Sequence, residues 1–196
     1  MELSFVTKKG PEIEAVFDDL ARLRIAVFRD FPYLYEGSLD YEREYLRTYP
    51  RAERSFLLAV YQQQQMVGAT TCLPLLDETD EIRQPFEAAG FDLGSIFYFG
   101  ESILLPAFRG QGLGHRFFDE REAHAARFGT YQATCFCSVE RPANHPARPA
   151  DYRSNDAFWT KRGYRPVPSL QSTLSWPDLG ETRATPKTMQ YWMRPL

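Results

Sequence analysis

Apolar residues at Ile13, Val16, Phe17, Leu20, Leu23 and Val27 recur every three or four positions, which predicts a helix opening at Pro11 and running through Phe28. Pro32 stops it. Leu3 to Thr7 reads as a short strand before it, and Asp40 to Thr48 as a mostly polar helix with Tyr41 and Tyr45 on one side. Ser55 to Tyr61 and Met66 to Leu75 are strand runs joined by the polar turn Gln62 to Gln65, hence a hairpin. Asp77 to Ser95 is an acidic excursion with a helical turn around Ile82 to Ala89. Ile96 to Leu105 is the most apolar stretch and predicts a buried strand. A glycine-rich turn, Phe108 to Gly114, leads into a helix over Gly112 to Phe128, with Leu113, Phe117, Phe118, Ala125 and Phe128 on one arc. Arg121 falls inside that arc, so it must snorkel or meet an acid.

Tyr131 to Val139 predicts a further strand. The loop Arg141 to Ser154, with three prolines, precedes a short helix, Asn155 to Arg162, that Gly163 ends. Tyr164 to Trp176 and Thr188 to Met193 are two late strands, joined by the polar loop Pro177 to Lys187. The order β-α-α-β-β-β-α-β-α-β-β mixes both element types throughout, which predicts a three-layer α/β domain covering residues 1–196. Three strands in succession fit a doubly wound dinucleotide fold poorly.

Composition narrows the picture. At 196 residues, 43% apolar and 25% charged, the chain is an ordinary globular one. A net charge of −3 provides no broad field for nucleic acid or anionic lipid. Neither a signal-peptide h-region after Glu2 nor an apolar run of membrane-spanning length is seen, so a cytoplasmic protein is expected. Cys72, Cys135 and Cys137 cannot all pair within one chain and have no zinc-ligand spacing; they read as small buried hydrophobes. With three histidines and no clustered acids, no metal is expected.

The segment Glu101-Ser-Ile-Leu-Leu-Pro106-Ala-Phe-Arg109-Gly-Gln-Gly112-Leu-Gly114-His-Arg116 runs from strand through turn into helix. Its glycines let a ligand approach the main chain, and the first N–H groups of the helix form an anion site beside Arg109 and Arg116. A pyrophosphate suits that geometry; so does a plain tight turn with no ligand. A P-loop is excluded because no Gly-Lys-Ser/Thr follows. The glycine spacing and the missing acid downstream argue against a Rossmann fingerprint.

Pro106-x-x-Arg109-Gly-Gln-Gly112-Leu-Gly114 resembles the Arg/Gln-x-x-Gly-x-Gly/Ala motif of the GCN5-related N-acetyltransferases (GNAT superfamily). Phe158-Trp159-Thr160-Lys161-Arg162-Gly163-Tyr164 resembles that family's short-helix ending, Phe-Tyr-Glu-Lys-x-Gly-Phe. The resemblance implies the acyl-CoA N-acyltransferase fold, a mixed sheet of about seven strands with helices on both faces. It implies acetyl-CoA as cosubstrate, its pantetheine arm along Ser102, Ile103 and Leu104. Its pyrophosphate would lie on the main chain of Arg109, Gly110, Gln111, Gly112, Leu113 and Gly114. The chain departs from the family at Trp159, where a tyrosine usually protonates the leaving thiolate; an indole N–H cannot. Tyr152 and Tyr164 are the nearby alternatives.

Transfer to an amine needs the neutral amine, and with a pKa of about 10.4 that is a minor species at pH 7. Glu101, the sole acid in its apolar strand, is the expected general base; the competing reading is an ion pair with an arginine such as Arg121. A strand N–H near Leu104 is expected to stabilise the oxyanion. Phe31, Tyr33 and Tyr35 in the first inter-helix connection, with His145 in the later loop, are the expected acceptor pocket. His115 and His124 read as surface or packing residues. The function implied is transfer of acetyl from acetyl-CoA to a primary amine of a small molecule by direct attack. The alternative is a non-catalytic acyl-CoA-binding or sensor protein with the same fold. Aromatics on the late strands suggest a homodimer.

Overall fold

The structure, a computed structural model, describes residues 2–196. β1 (Leu3–Lys9) leads through a 3₁₀ turn into α1 (Phe17–Phe28). α2 (Leu39–Leu46) starts at Ser38, whose Oγ accepts from the Tyr41 N–H at 3.3 Å, and is followed by the single turn α3 (Thr48–Arg51). The hairpin β2 (Phe56–Gln62) and β3 (Gln65–Pro74) comes next, then α4 (Asp80–Ala88), β4 (Ile96–Leu104) and α5 (Leu113–Ala126). β5 (Ala133–Val139), α6 (Asp156–Lys161), β6 (Arg165–Trp176) and β7 (Thr185–Pro195) complete the chain.

The seven strands form one sheet in the order β1-β2-β3-β4-β5-β7-β6. Every pairing is antiparallel except β4 with β5. Alternation along the strands divides the core in two. Leu57, Ala59, Ala69, Leu73, Tyr98 and Tyr191 pack with Leu20, Leu46, Tyr49 and Phe86, the side of α1 to α4. Leu58, Val60, Phe97, Phe99, Phe136 and Trp192 pack with Phe117, Phe118 and Tyr164, the side of α5 and α6. The mixed seven-stranded sheet, with helices on both faces, is the architecture expected. Strand β5 starts later than expected, at Ala133, and β7 is longer, because its whole length pairs with β5 on one side or β6 on the other.

One local irregularity sets the direction of Glu101. Between Thr70/Ser102 and Cys72/Phe99 the β3–β4 register slips, so β4 contains one extra residue at Gly100–Glu101. Such a bulge reverses the in–out parity. Phe97 and Phe99 point to the α5 side and Tyr98 to the α1 side; beyond the bulge Ile103 is again on the α1 side, five positions later. Glu101 is turned the same way.

The late-strand aromatics that suggested a homodimer are covered within the chain. Trp176, Tyr191 and Trp192 are buried because they sit between the paired strands and the helices or the α1–α2 connection.

Candidate active site

β4 and β5 pair only from Ile96/Ala133 to Tyr98/Cys135. Beyond that point they diverge, leaving the β4 edge from Phe99 onward without a strand on that side, while β3 still pairs with Ser102, Ile103 and Leu104. An unpaired edge inside a sheet offers main-chain N–H and C=O groups to an extended ligand. Arg109 lies across the end of this edge, its Nε donating to the Leu104 carbonyl at 3.2 Å.

The turn after β4 is open. Gly110 and Gly112 have φ of +76° and +81°, in the left-handed region, and a Cβ on either would meet nothing within 4 Å. Gly112 is the N-cap of α5, so the first N–H groups of that 14-residue helix emerge beside an uncovered backbone. Gln111 is held to the Ala107 carbonyl at 3.1 Å.

Two cavities meet at the split. The larger, about 1110 Å³, lies along Phe99, Ser102, Phe118, Arg121, Phe136 and Trp159 on the α5 side. The smaller, about 630 Å³, lies on the α1 side and is lined by Arg24, Tyr35, Tyr45, Tyr98, Glu101 and Trp176 among others. Phe28, Tyr33, Gly100 and Cys137 line both.

The expected site residues divide between these spaces. Tyr33 and Tyr35 line the smaller cavity. Phe31 instead lines the larger one, edge-on to Tyr152 at 4.7 Å. His145 lines neither, but lies 5.7 Å from the Phe31 ring. Tyr152 is on the outer wall of the larger cavity beneath Arg148, with burial raising its hydroxyl pKa. Trp159 packs edge-on to Phe136 and Trp192, and Tyr164 is buried, bonded to Thr134 and Glu122.

Glu101 is 2% exposed. Its carboxylate touches the Arg24 guanidinium and accepts from the Tyr49 hydroxyl at 3.4 Å. Burial raises its pKa, against the pull of Arg24. Arg121, the partner considered from the sequence, approaches Glu101 from the other side of the sheet and takes its main-chain carbonyl at 3.2 Å. Arg121 neither snorkels nor meets an acid. It is 1% exposed, bonded to the carbonyls of Glu101 and Phe117, and packed between the rings of Phe99 (4.3 Å) and Phe118 (4.6 Å).

Four residues around Glu101 escaped the reading of the chain. Arg24 is four positions after Leu20 on the buried arc of α1, the same out-of-pattern signal that marked Arg121. Glu42 and Tyr49 reach the cluster from α2 and α3, and long-range placement of that kind leaves no local trace. Gly100 is required by the approach of Tyr49: a Cβ there would lie 2.0 Å from its hydroxyl. The wall between the cavities is fixed by Arg141, which donates to the Pro32 and Tyr33 carbonyls at 2.8 Å and forms a two-pronged pair with Asp178. Trp176 also donates to the Tyr33 carbonyl, at 3.0 Å.

Comparison with known proteins agrees with this fold. The model of the acetyltransferase (GNAT) family matches residues 19–150. Similar solved structures include an acetyltransferase from Thermus thermophilus (16% identity, TM-score 0.53, covering 100% of this chain and 98% of that one). A GNAT-family acetyltransferase from Streptococcus pneumoniae is similar at 12% identity and TM-score 0.58, covering 100% of both chains. The polyamine N acetyltransferase of Drosophila melanogaster is similar at 14% identity and TM-score 0.59, covering 98% of this chain and 100% of that one. At such identities the likeness is one of fold. No curated protein matches the chain. Among the described residues no helix is long and apolar enough to cross a membrane.

Proposed function

Since the chain belongs to the acetyltransferase (GNAT) family, we propose that it transfers an acetyl group from acetyl-CoA to a primary amine of a small molecule, by direct attack and with Glu101 as general base. The observation that carries this reading is the junction of two cavities at the β4–β5 split, with a buried carboxylate on one side and an open strand edge and helix N-terminus on the other.

The larger cavity suits the coenzyme. Main-chain groups of Ser102, Ile103 and Leu104 would hold its pantetheine arm, and the N–H groups from Gly110 to Gly114 its phosphates, the Arg109 N–H being spent on the Pro106 carbonyl. Bound acetyl-CoA supplies the activated acyl group. The amine enters from the smaller cavity and passes one ammonium proton to Glu101; the neutral nitrogen then attacks, and the second proton, shed as the C–N bond forms and the C–S bond breaks, goes to the departing CoA sulfur. Cys137 lines both cavities, but burial pushes its thiol up to about 12. It therefore stays protonated at neutral pH, which disfavours a covalent acyl-cysteine route.

Radiolabelled acetyl transfer to a panel of amines tests the proposal. The wild type should turn over, and Glu101→Gln should lower kcat about 10²- to 10⁴-fold while acetyl-CoA still binds. The wild-type rate should fall on acidification through the raised pKa of Glu101, because protonation removes the base. No binding of acetyl-CoA and no transfer would end the reading. A second reading, coenzyme binding without turnover, is favoured by Trp159, which has no hydroxyl where the family usually has one. It predicts acetyl-CoA binding, no acetylated amine, and no effect of Glu101→Gln.

A further inference from the structure

The smaller cavity contains more negative charge than its fold requires. Arg24 is one guanidinium shared by two carboxylates: Glu101, which lines the cavity, and Glu42, which is fully buried against Arg24 outside the lining. Glu42 Oε1 accepts no hydrogen bond of good geometry among the described residues, and the one neutral donor facing the carboxylate, the Tyr35 hydroxyl, brings no counter-charge. Glu44 and Glu81 against Arg51 leave the rest of the lining acidic as well. Buried charge without a counter-charge is disfavoured, and an apolar side chain at position 42 would serve packing alone better. A missing cation would account for it.

The walls point the same way. The faces of Phe28 and Tyr45 receive Arg24 at 5.0 and 4.3 Å, and Trp176 receives Lys187 at 5.2 Å. Tyr33, Tyr35 and Tyr41 also line the cavity, and no lysine or arginine among the described residues stacks on them. Rings beside unbalanced acid are the chemistry that recognises an ammonium ion. At about 630 Å³ the space is that of a small-molecule pocket.

We propose that the smaller cavity selects a primary ammonium ion on an apolar body that has no carboxylate, and that Glu42 sets this selectivity by leaving the Arg24–Glu42–Glu101 cluster one positive charge short. This rests on the acetyl-transfer reading of the same site. The ligand's charge completes the cluster on binding. When an ammonium N–H passes its proton to Glu101, the amine and the cluster are both left neutral, with charge conserved. An amino acid would bring its carboxylate into the same excess of acid and is rejected.

The test uses the full chain, calorimetry at pH 7.5 and low salt, and a probe that cannot be acetylated. Benzyltrimethylammonium should bind at least tenfold more tightly than neopentylbenzene, its uncharged isostere, or benzoate. Glu42→Gln should remove at least fivefold of that preference. Equal binding of the isostere or of benzoate, no binding of the cation, or an unchanged preference in a folded Glu42→Gln protein would each overturn the proposal. Should Glu42→Gln fail to fold, the wild-type comparison of the three probes decides alone. In the transfer assay, tyramine should exceed tyrosine at least tenfold in kcat/KM. Cation binding without any acetyl transfer would sink the acetyl-transfer reading and leave this one standing; transfer to tyrosine as fast as to tyramine would do the reverse.

Discussion

Two arginines, both almost wholly buried, reach Glu101 from opposite sides of the sheet and answer the same problem differently. Arg24, from α1, meets the side chain and is surrounded by acid; burial opposes its charge, but Glu101 and Glu42 outweigh that and hold its pKa well above the usual range. Arg121, from α5, meets the main-chain carbonyl, has no carboxylate within reach, and is brought down to about 10 by burial. One side of the split thus has excess anion and the other an unpaired cation cushioned by two aromatic faces. The two cavities differ accordingly: the buried acid lies on the α1 side, whereas the larger cavity has only the exposed acids Glu140 and Asp156 in its lining, against Arg121, Arg141 and Arg148.

Removing each arginine should separate the two solutions, and the largest effect belongs to Arg24. Arg24→Met leaves Glu42 and Glu101 buried together with no counter-charge, a change that typically costs about 3–5 kcal/mol. In a chain of this size that is a fall in Tm of about 10 °C. The loss should shrink on acidification, since protonating Glu101, whose pKa burial already raises, relieves the repulsion. A melting curve at neutral pH within about 1 °C of wild type would mean the cluster is not held by Arg24.

A third acid sharpens the contrast by titration. Glu78 is buried near the same cluster; burial pushes it up to about 7, with Glu101 adding and Arg24 subtracting. Its ordinary value is 4.5, so the folded chain binds a proton more readily than the unfolded one between about 4.5 and 7. Stability linked to this group is therefore fully present below 4.5 and is lost as pH rises through about 7, a span worth at most roughly 3 kcal/mol. Relative to Glu78→Gln, the wild type should gain stability as pH falls from 8 to 5. Parallel stability curves for the two proteins would show that Glu78 titrates normally.

Much of the scaffold was legible in the chain, because helical and strand periods are local and the motif from Pro106 to Gly114 is contiguous. The mixed seven-stranded sheet followed from the resemblance those motifs carry. The site was legible only in part. Glu101 stood out as the one acid in an apolar strand, yet its direction depends on a bulge at Gly100–Glu101 that shows only in the register against β3. Its partner could not be chosen from spacing, since Arg24 and Arg121 are both out of place on apolar helix faces and both touch it. Phe31 and Tyr33 are two residues apart in one loop, yet only Tyr33 reaches the smaller cavity, because Arg141 and Trp176 pin its carbonyl against the β6–β7 connection. Contacts between residues 100 or more positions apart have no period to read.

The smallest effect on stability, and the sharpest on mechanism, is expected from Arg121→Met. Methionine fills the slot between Phe99 and Phe118, and the Glu101 carbonyl keeps its bond from Thr70 Oγ1 at 2.8 Å. The lost hydrogen bonds are offset by no longer burying an unpaired cation, so the variant should melt within about 1 kcal/mol of wild type. Its pH–rate profile should still move. Burial is what raises Glu101, Arg24 is the strongest influence pulling it back, and Arg121 pulls in the same direction. Without Arg121 the base proposed here should titrate at higher pH, and the acid limb of kcat should shift upward while the KM for the amine stays near its wild-type value. A stable variant with an unshifted limb would show that the cation on the α5 side is only packing, and that Arg24 alone governs the charge of Glu101.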